Sequence, residues 1–227
     1  MYQDRIQAGE VLADLLKPYS GEKLVLLVIP NGGVPVGFAI FKKLHEENPN
    51  VEFKLIIVRK IQIPYNTEAG FGALTIDGTI ILNEPLVARL GLNKEQIQKQ
   101  ASKVLEDMKL RLKMYGIEAQ KFELKDKVAI LIDDGIASGF TMIAAIKSIQ
   151  KYHPKKIIVA VPTAPLSSVE RVEPLVDEIV CPDIQSTFSF AVANAYKNWY
   201  DLDVEEVRTI LQKINAIKQE KEVFDEY

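Results

Sequence analysis

The chain has 227 residues, 48% of them hydrophobic, with 28 basic against 31 acidic side chains and a formal net charge of −3. That is enough apolar material for a sizeable core, and the interspersed charge excludes a basic nucleic-acid surface or a polybasic membrane patch. A lone cysteine, Cys181, excludes an internal disulfide; the polar opening "MYQDRIQAGE" lacks a signal core, and no apolar run approaches the roughly 20 residues that span a bilayer, so a soluble cytoplasmic protein is expected.

The first element is a helix over Arg5–Lys17, with Ile6, Val11, Leu12, Leu15 and Leu16 as its apolar residues. "LVLLVI" (Leu24–Ile29) reads as a strand, Val34–His45 as a helix, and "FKLIIV" (Phe53–Val58) and "TIILN" (Thr79–Asn83) as two more strands. Lys94–Tyr115 breaks the alternation. Ile97, Ala101, Val104, Leu105, Met108, Leu112 and Tyr115 fall on one stripe of a long amphipathic helix. It is expected to pack on the sheet, with a subunit interface as the alternative. "VAILI" (Val128–Ile132), a helix over Thr141–Tyr152, "IIVAVP" (Ile157–Pro162) and "EIVC" (Glu178–Cys181) follow. The charged tail "KINAIKQEKEVFDEY" is expected to fray. Cys181 is expected as a small buried residue, and His45 and His153 as exposed helix-end residues without a role.

Most of these strands are apolar throughout, the pattern of strands covered on both faces. Alternation with helices then predicts an α/β fold: an open, mostly parallel twisted sheet flanked by helices.

In such sheets ligands bind beyond the carboxyl ends of the strands, where the connection direction reverses. Two strands end in glycine turns, "VIPNGGVPVG" (Val28–Gly37) and "LIDDGIASGFTM" (Leu131–Met142). The first offers backbone N–H groups and room for an anion. In the second, Asp133 and Asp134 are followed by small residues, hydroxyls and a helix start, where amides converge on a phosphate monoester. Carboxylates do not bind phosphate; they bind hydroxyls, a metal or developing positive charge. A sugar phosphate with free vicinal hydroxyls satisfies both halves. Neither G-x-x-x-x-G-K-[ST] nor a dinucleotide G-x-G-x-x-G follows a strand.

"VAILIDDGIASGFTMIAAI" resembles the phosphoribosyl-pyrophosphate (PRPP) signature of the type I phosphoribosyltransferases. "DRIQAGEVLADLL", "IPNGGVPVGFAI", "VRKIQIPYNTEAGFGAL" and "AYKNWYDLDVEEV" are similar to further segments of a phosphoribosyltransferase group of bacteria and archaea. The resemblance implies that Ala137, Ser138, Gly139, Phe140 and Thr141 hold the 5′-phosphate. Asp133 and Asp134 would be the catalytic acids, contacting the ribose hydroxyls and, directly or through water, Mg²⁺. Asn31, Gly32 and Gly33 would form the pyrophosphate loop, often with a non-proline cis peptide, and Arg59 and Lys60 would end a strand and meet the pyrophosphate charge. Relatives often carry Arg in place of Asn31, and glycine in place of Phe140.

The resemblance also implies one domain over residues 1–227, with a mobile hood and inserted helix over about 59–120 and a C-terminal cap over 181–227. Tyr65, Asn66 and Glu68 are candidate lid or base contacts; Phe188, Tyr196 and Trp199 are candidate stacking surfaces for the acceptor, with core packing the alternative. The implied reaction passes the phosphoribosyl group from PRPP to a small nitrogenous acceptor in a homodimeric enzyme, without nucleic acid or membrane. A PRPP-sensing regulator of the same fold, or a hydrolase or synthase-like enzyme using the same cradle, are the other readings. The signature leaves the acceptor open.

Overall fold

A computed structural model describes residues 1–117, 120–187 and 189–225, the side chains at 67–69 and 221–225 excepted. In chain order the elements are α1 (Arg5–Leu16), β1 (Leu24–Val28), α2 (Gly33–Glu47), β2 (Glu52–Leu55), β3 (Val58–Ile63), β4 (Asn66–Thr75), β5 (Ile80–Leu82), α3 (Glu84–Leu90), α4 (Lys94–Met114) and β6 (Val128–Ile132). There follow α5 (Phe140–Gln150), β7 (Lys156–Ala160), β8 (Thr163–Pro165), α6 (Leu166–Val172), β9 (Glu178–Val180), β10 (Asp183–Gln185) and α7 (Val204–Asp225).

The central sheet has the order β2-β1-β6-β7-β9, and every neighbouring pair is parallel. β1 and β6 are buried along their whole length, as their unbroken apolar sequences require. Alternate residues serve two cores. Leu24, Leu26 and Val28 of β1 face the cluster built with α1, α2 and α7, while Val25 and Leu27 face the cluster built with α5. The chain leaves β1 for β2 on one side and re-enters through β6 on the other, so the connection direction reverses between β1 and β6. Val28 pairs with Ile132, so both strands end level and release their loops side by side.

Three expectations about strands change. "FKLIIV" is not one strand: β2 ends at Leu55, Ile56 and Ile57 cross between sheets, and Val58 opens β3. "TIILN" supplies β5, which joins β3 and β4 in a separate antiparallel sheet ordered β3-β4-β5. Arg59 and Lys60 therefore lie at the start of a strand rather than the end of one. Apolar content marks a buried strand but does not say which sheet buries it. The glycine-rich segment expected as a hood is the β3–β4 hairpin of that second sheet. Gly72 is required there, since a Cβ would stand 2.4 Å from the Ile81 carbonyl oxygen.

α4 begins with a capping box between Asn93 and Gln96 and packs Ala101, Met108 and Leu112 inward against β3 and β4. The sheet it covers is thus the antiparallel one. α1 turns a different face inward from the one its large apolar residues suggest. Arg5, Ala8, Gly9, Leu12, Ala13 and Leu16 are buried, while Ile6, Val11 and Leu15 are exposed. Close packing decides this: a Cβ on Gly9 would lie 2.4 Å from the Val36 carbonyl oxygen of α2.

His45 is buried in α2 and stacks on Phe41, with ring centroids 4.8 Å apart, because α2 runs on to Glu47 beneath a covering helix. That cover is α7, so the charged tail is helical to Asp225 rather than frayed. Val207, Ile210, Leu211, Ile214 and Ile217 supply its apolar stripe. His153 is exposed, and Cys181 is half-buried against the α5-side core. No helix among the described residues is long and apolar enough to cross a membrane.

Candidate active site

The first loop turns from β1 into α2 within a few residues. Its Pro30–Asn31 peptide bond is cis. Gly32 and Gly33 then press directly against the second loop. A Cβ on Gly32 would stand 1.9 Å from Asp134 Oδ2, and one on Gly33 3.0 Å from the Asp133 Cα. Only hydrogen in place of a side chain allows this approach. The two glycine turns are therefore neighbours, as the switch-point argument requires.

Asp133 and Asp134 leave the end of β6. Asp133 Oδ1 accepts a hydrogen bond from the Asp134 N–H at 2.8 Å. Burial raises the pKa of both carboxyls, and repulsion from Asp134 raises Asp133 further. Asp134 is pulled back by Arg5, whose Nε donates to Oδ2 at 2.9 Å across a nearly buried ion pair. Arg5 also donates to the Tyr200 carbonyl at 2.8 Å, and its guanidinium lies 4.0 Å from the Trp199 ring centroid. The hydroxyl of Tyr196 donates to the Asp134 carbonyl at 2.5 Å. Arg5 was missed in the sequence reading. Its signal was a cation set among the small residues of α1, inside a segment that the family resemblance covers without giving Arg5 a role.

Beyond the acids, Gly139 takes a left-handed conformation (φ 88°) and opens α5. No side chain caps this helix, so its first N–H groups face outward at a positive dipole end. Ala137 and Ser138 are exposed. The loop is pinned from behind: Ser168 Oγ donates to the Ala137 carbonyl at 2.5 Å, and Arg171 donates to the Ser138 carbonyl while lying over the Phe140 ring. The bulky Phe140 thus points its ring at α6 and keeps its amide at the helix start, and Thr141 is half-buried beside it.

A cleft of about 850 Å³ opens beside Asp134, its lining including Arg5, Asn31, Gly32, Arg59, Arg111 and Trp199, while Asp133 and Gly33 lie behind its walls. The 137–141 loop lies outside the walls of this cleft, past Asp134. Asn31 is held at both ends of its amide: Nδ2 donates to the Leu202 carbonyl at 2.8 Å, and Oδ1 accepts from the Tyr115 hydroxyl. Arg59 reaches the cleft from β3, whereas Lys60 lines a neighbouring recess of about 370 Å³ between β3 and α4. Arg111 of α4, unrecognised in the sequence, lines both.

Of the other candidates, Trp199 is partly exposed in the cleft wall, and Tyr196 is buried between Tyr2 and Trp199. Tyr65 is exposed at the β3–β4 turn and lines none of these walls, and Asn66 opens β4. The Glu68 side chain and Phe188 lie outside the described residues.

Residues 3–199 match the family model described as the phosphoribosyl transferase domain. Two Mycobacterium tuberculosis proteins, MT0597 and Rv0571c, provisionally named as phosphoribosyl transferases, are each 32% identical over 213 residues. The match covers 94% of this chain and 47% of theirs, so the chain spans about half the length of these curated relatives. The crystal structure of TT1426 from Thermus thermophilus superposes with a TM-score of 0.74 at 29% identity, covering 94% of this chain and 98% of that one.

Proposed function

This chain belongs to the phosphoribosyl transferase domain family, and on that premise we propose that it binds PRPP and transfers the 5-phosphoribosyl group to a nitrogenous acceptor. The observation that carries the reading is the contact of Gly32 and Gly33 with Asp134 and Asp133, beside the uncapped start of α5.

In this reading the amides and hydroxyls of Ala137–Thr141 bind the 5′-phosphate. Asp133 and Asp134 bind the ribose hydroxyls. The diphosphate runs past Asn31, Gly32 and Gly33 towards Arg59, with Lys60 beyond it. The acceptor nitrogen attacks C1 as the C1–O bond to pyrophosphate breaks, and the bonding electrons leave with the pyrophosphate. Positive charge grows on the ribosyl ring, and the acid pair stabilises it. Arg5 contributes by favouring the ionised form of Asp134. Trp199 offers the acceptor a half-exposed aromatic face, while Tyr196 serves packing and holds the Asp134 backbone.

Magnesium fits this donor set in part. Asp134 Oδ2 is engaged by Arg5, and no cluster of three metal-binding side chains stands among the described residues. Asp133 and Asp134 would therefore hold the ion through water, with most ligands coming from the substrate. When bound, it would neutralise charge on the departing pyrophosphate.

The test is pyrophosphate release from PRPP with magnesium across purines, pyrimidines, nicotinate and orotate. Turnover with one acceptor supports transfer. Saturable PRPP binding without turnover on any acceptor favours the sensor reading instead, and absence of PRPP binding removes both.

A further inference from the structure

The hood and the inserted helix place two guanidinium groups together. Arg59 from β3 and Arg111 from α4 line both the cleft and the adjoining recess, so they stand at the divide between them. Lys60 and Lys103 continue the basic lining into the recess. A single acid, Asp107, shares this wall, and it is already engaged by Arg111 at 2.9 Å. Arg59 is half-buried and forms no ion pair among the described residues. Its pKa is lowered, first by burial and then by Arg111. The other acids of the cleft are spread over other segments. Asp134 is held by Arg5, Asp203 accepts from the Glu206 N–H at 2.8 Å, and Asp201 is exposed. Two cations thus face each other with one counter-charge between them, an arrangement that an anion completes.

α4 also reaches the first loop. Tyr115, the residue that closes the helix, donates its hydroxyl to Asn31, and Asn31 itself brings no charge. The helix that carries the extra cation therefore anchors the loop beside which a diphosphate would run.

We propose that Arg111 is a substrate-binding residue, gripping the diphosphate of PRPP together with Arg59, so that the inserted helix α4 forms a wall of the active site. This rests on the PRPP reading above. Arginine suits the task because its planar fork matches phosphate oxygens in pairs. Asp107 tempers the site by holding the fork until a stronger anion displaces it.

The test is calorimetric titration of PRPP, inorganic pyrophosphate and ribose 5-phosphate into the parent protein and the variants Arg111→Gln and Asp107→Asn. Losing a charge-assisted contact predicts that Arg111→Gln weakens pyrophosphate and PRPP by about tenfold or more. Asp107→Asn should strengthen pyrophosphate by roughly threefold, since it removes a competing carboxylate. Neither should change ribose 5-phosphate by more than about twofold. Both variants break the same exposed ion pair, so general destabilisation cannot produce opposite signs. If the parent binds PRPP and Arg111→Gln binds PRPP and pyrophosphate unchanged, the inference is overturned and the transferase reading stands. If the parent binds no pyrophosphate, the inference also fails. If pyrophosphate binds through Arg111 while PRPP and ribose 5-phosphate do not bind, the inference falls together with the transferase reading, and Arg111 is an anion contact only.

Discussion

At the scale of single residues, Asp133 and Arg5 pull the fold in opposite directions. Asp133 keeps its proton to higher pH in the folded state than in the unfolded chain, because burial and Asp134 disfavour its charge. Between the unfolded carboxyl pKa, about 4, and the raised folded value, the folded state binds more protons, so stability falls as pH rises through that window. Asp133→Asn removes this penalty, and its oxygen can still accept the Asp134 N–H. A gain of about 1 kcal/mol would raise Tm by about 2–4 °C at pH 7, and the gain should fade near pH 4. Thermal melts across that range check it; a variant less stable than the parent at pH 7 contradicts it. Arg5 acts the other way. Arg5→Ala leaves Asp134 largely buried without its counter-charge, which typically costs about 3–5 kcal/mol. Asp134→Asn in the same background should recover much of the loss, and denaturant unfolding of the four-member cycle measures the coupling. The position of the acids was legible because an unbroken apolar strand running into two carboxylates, a glycine turn and a helix start has to end at the carboxyl edge of the sheet. Arg5 was not, because its partner lies 129 residues away and only folding brings them together.

At the scale of elements, legibility followed burial. β1, β6 and β7 are apolar runs covered on both faces, so period and length sufficed to find them, and α2 and α5 follow their glycine turns directly. β2 and β3 could not be separated, because Ile56 and Ile57 stay buried while the chain passes from one sheet to the other. β8 and β10, of three residues each, are too short for a periodicity signal. α1 was found, but its buried face was misread, since the sequence weighs side-chain size and the interface selects small side chains. Gly9 tests that explanation. A methyl group there meets the Val36 carbonyl, so Gly9→Ala should destabilise the chain by about 1–3 kcal/mol despite alanine's better helix propensity. The readout is Tm together with PRPP affinity under folding conditions; Tm should fall while affinity holds. A rise in Tm would show that α1 and α2 are not in the close contact described.

Across the whole molecule, under the proposed function, the parallel sheet separates gripping from chemistry. The two glycine turns meet at the strand-order reversal; Asp134 lines one cleft with Arg59 and Arg111, and the 137–141 loop follows the acids outside that cleft. The meeting of the two turns was foreseeable from the switch-point rule. The contribution of α4 was not, because an amphipathic stripe identifies the face that packs and says nothing about which polar residue the packed helix leaves in a cleft. The division predicts how two changes should differ. Gly139 has a left-handed backbone that a branched side chain rarely adopts, so Gly139→Val should distort the cradle and weaken PRPP binding, visible as a loss of PRPP-induced thermal stabilisation. Asp133→Asn with Asp134→Asn leaves that cradle in place and removes the charge facing the ribosyl ring. Its effect should fall on the barrier, lowering turnover by roughly 10²–10³, or about 3–4 kcal/mol, while PRPP still raises Tm. Affinity and turnover are measured on both variants with an acceptor found by screening. Equal losses of affinity in the two, with turnover tracking affinity, would mean that the acids bind rather than catalyse, and the partition of labour across the sheet would have to be abandoned.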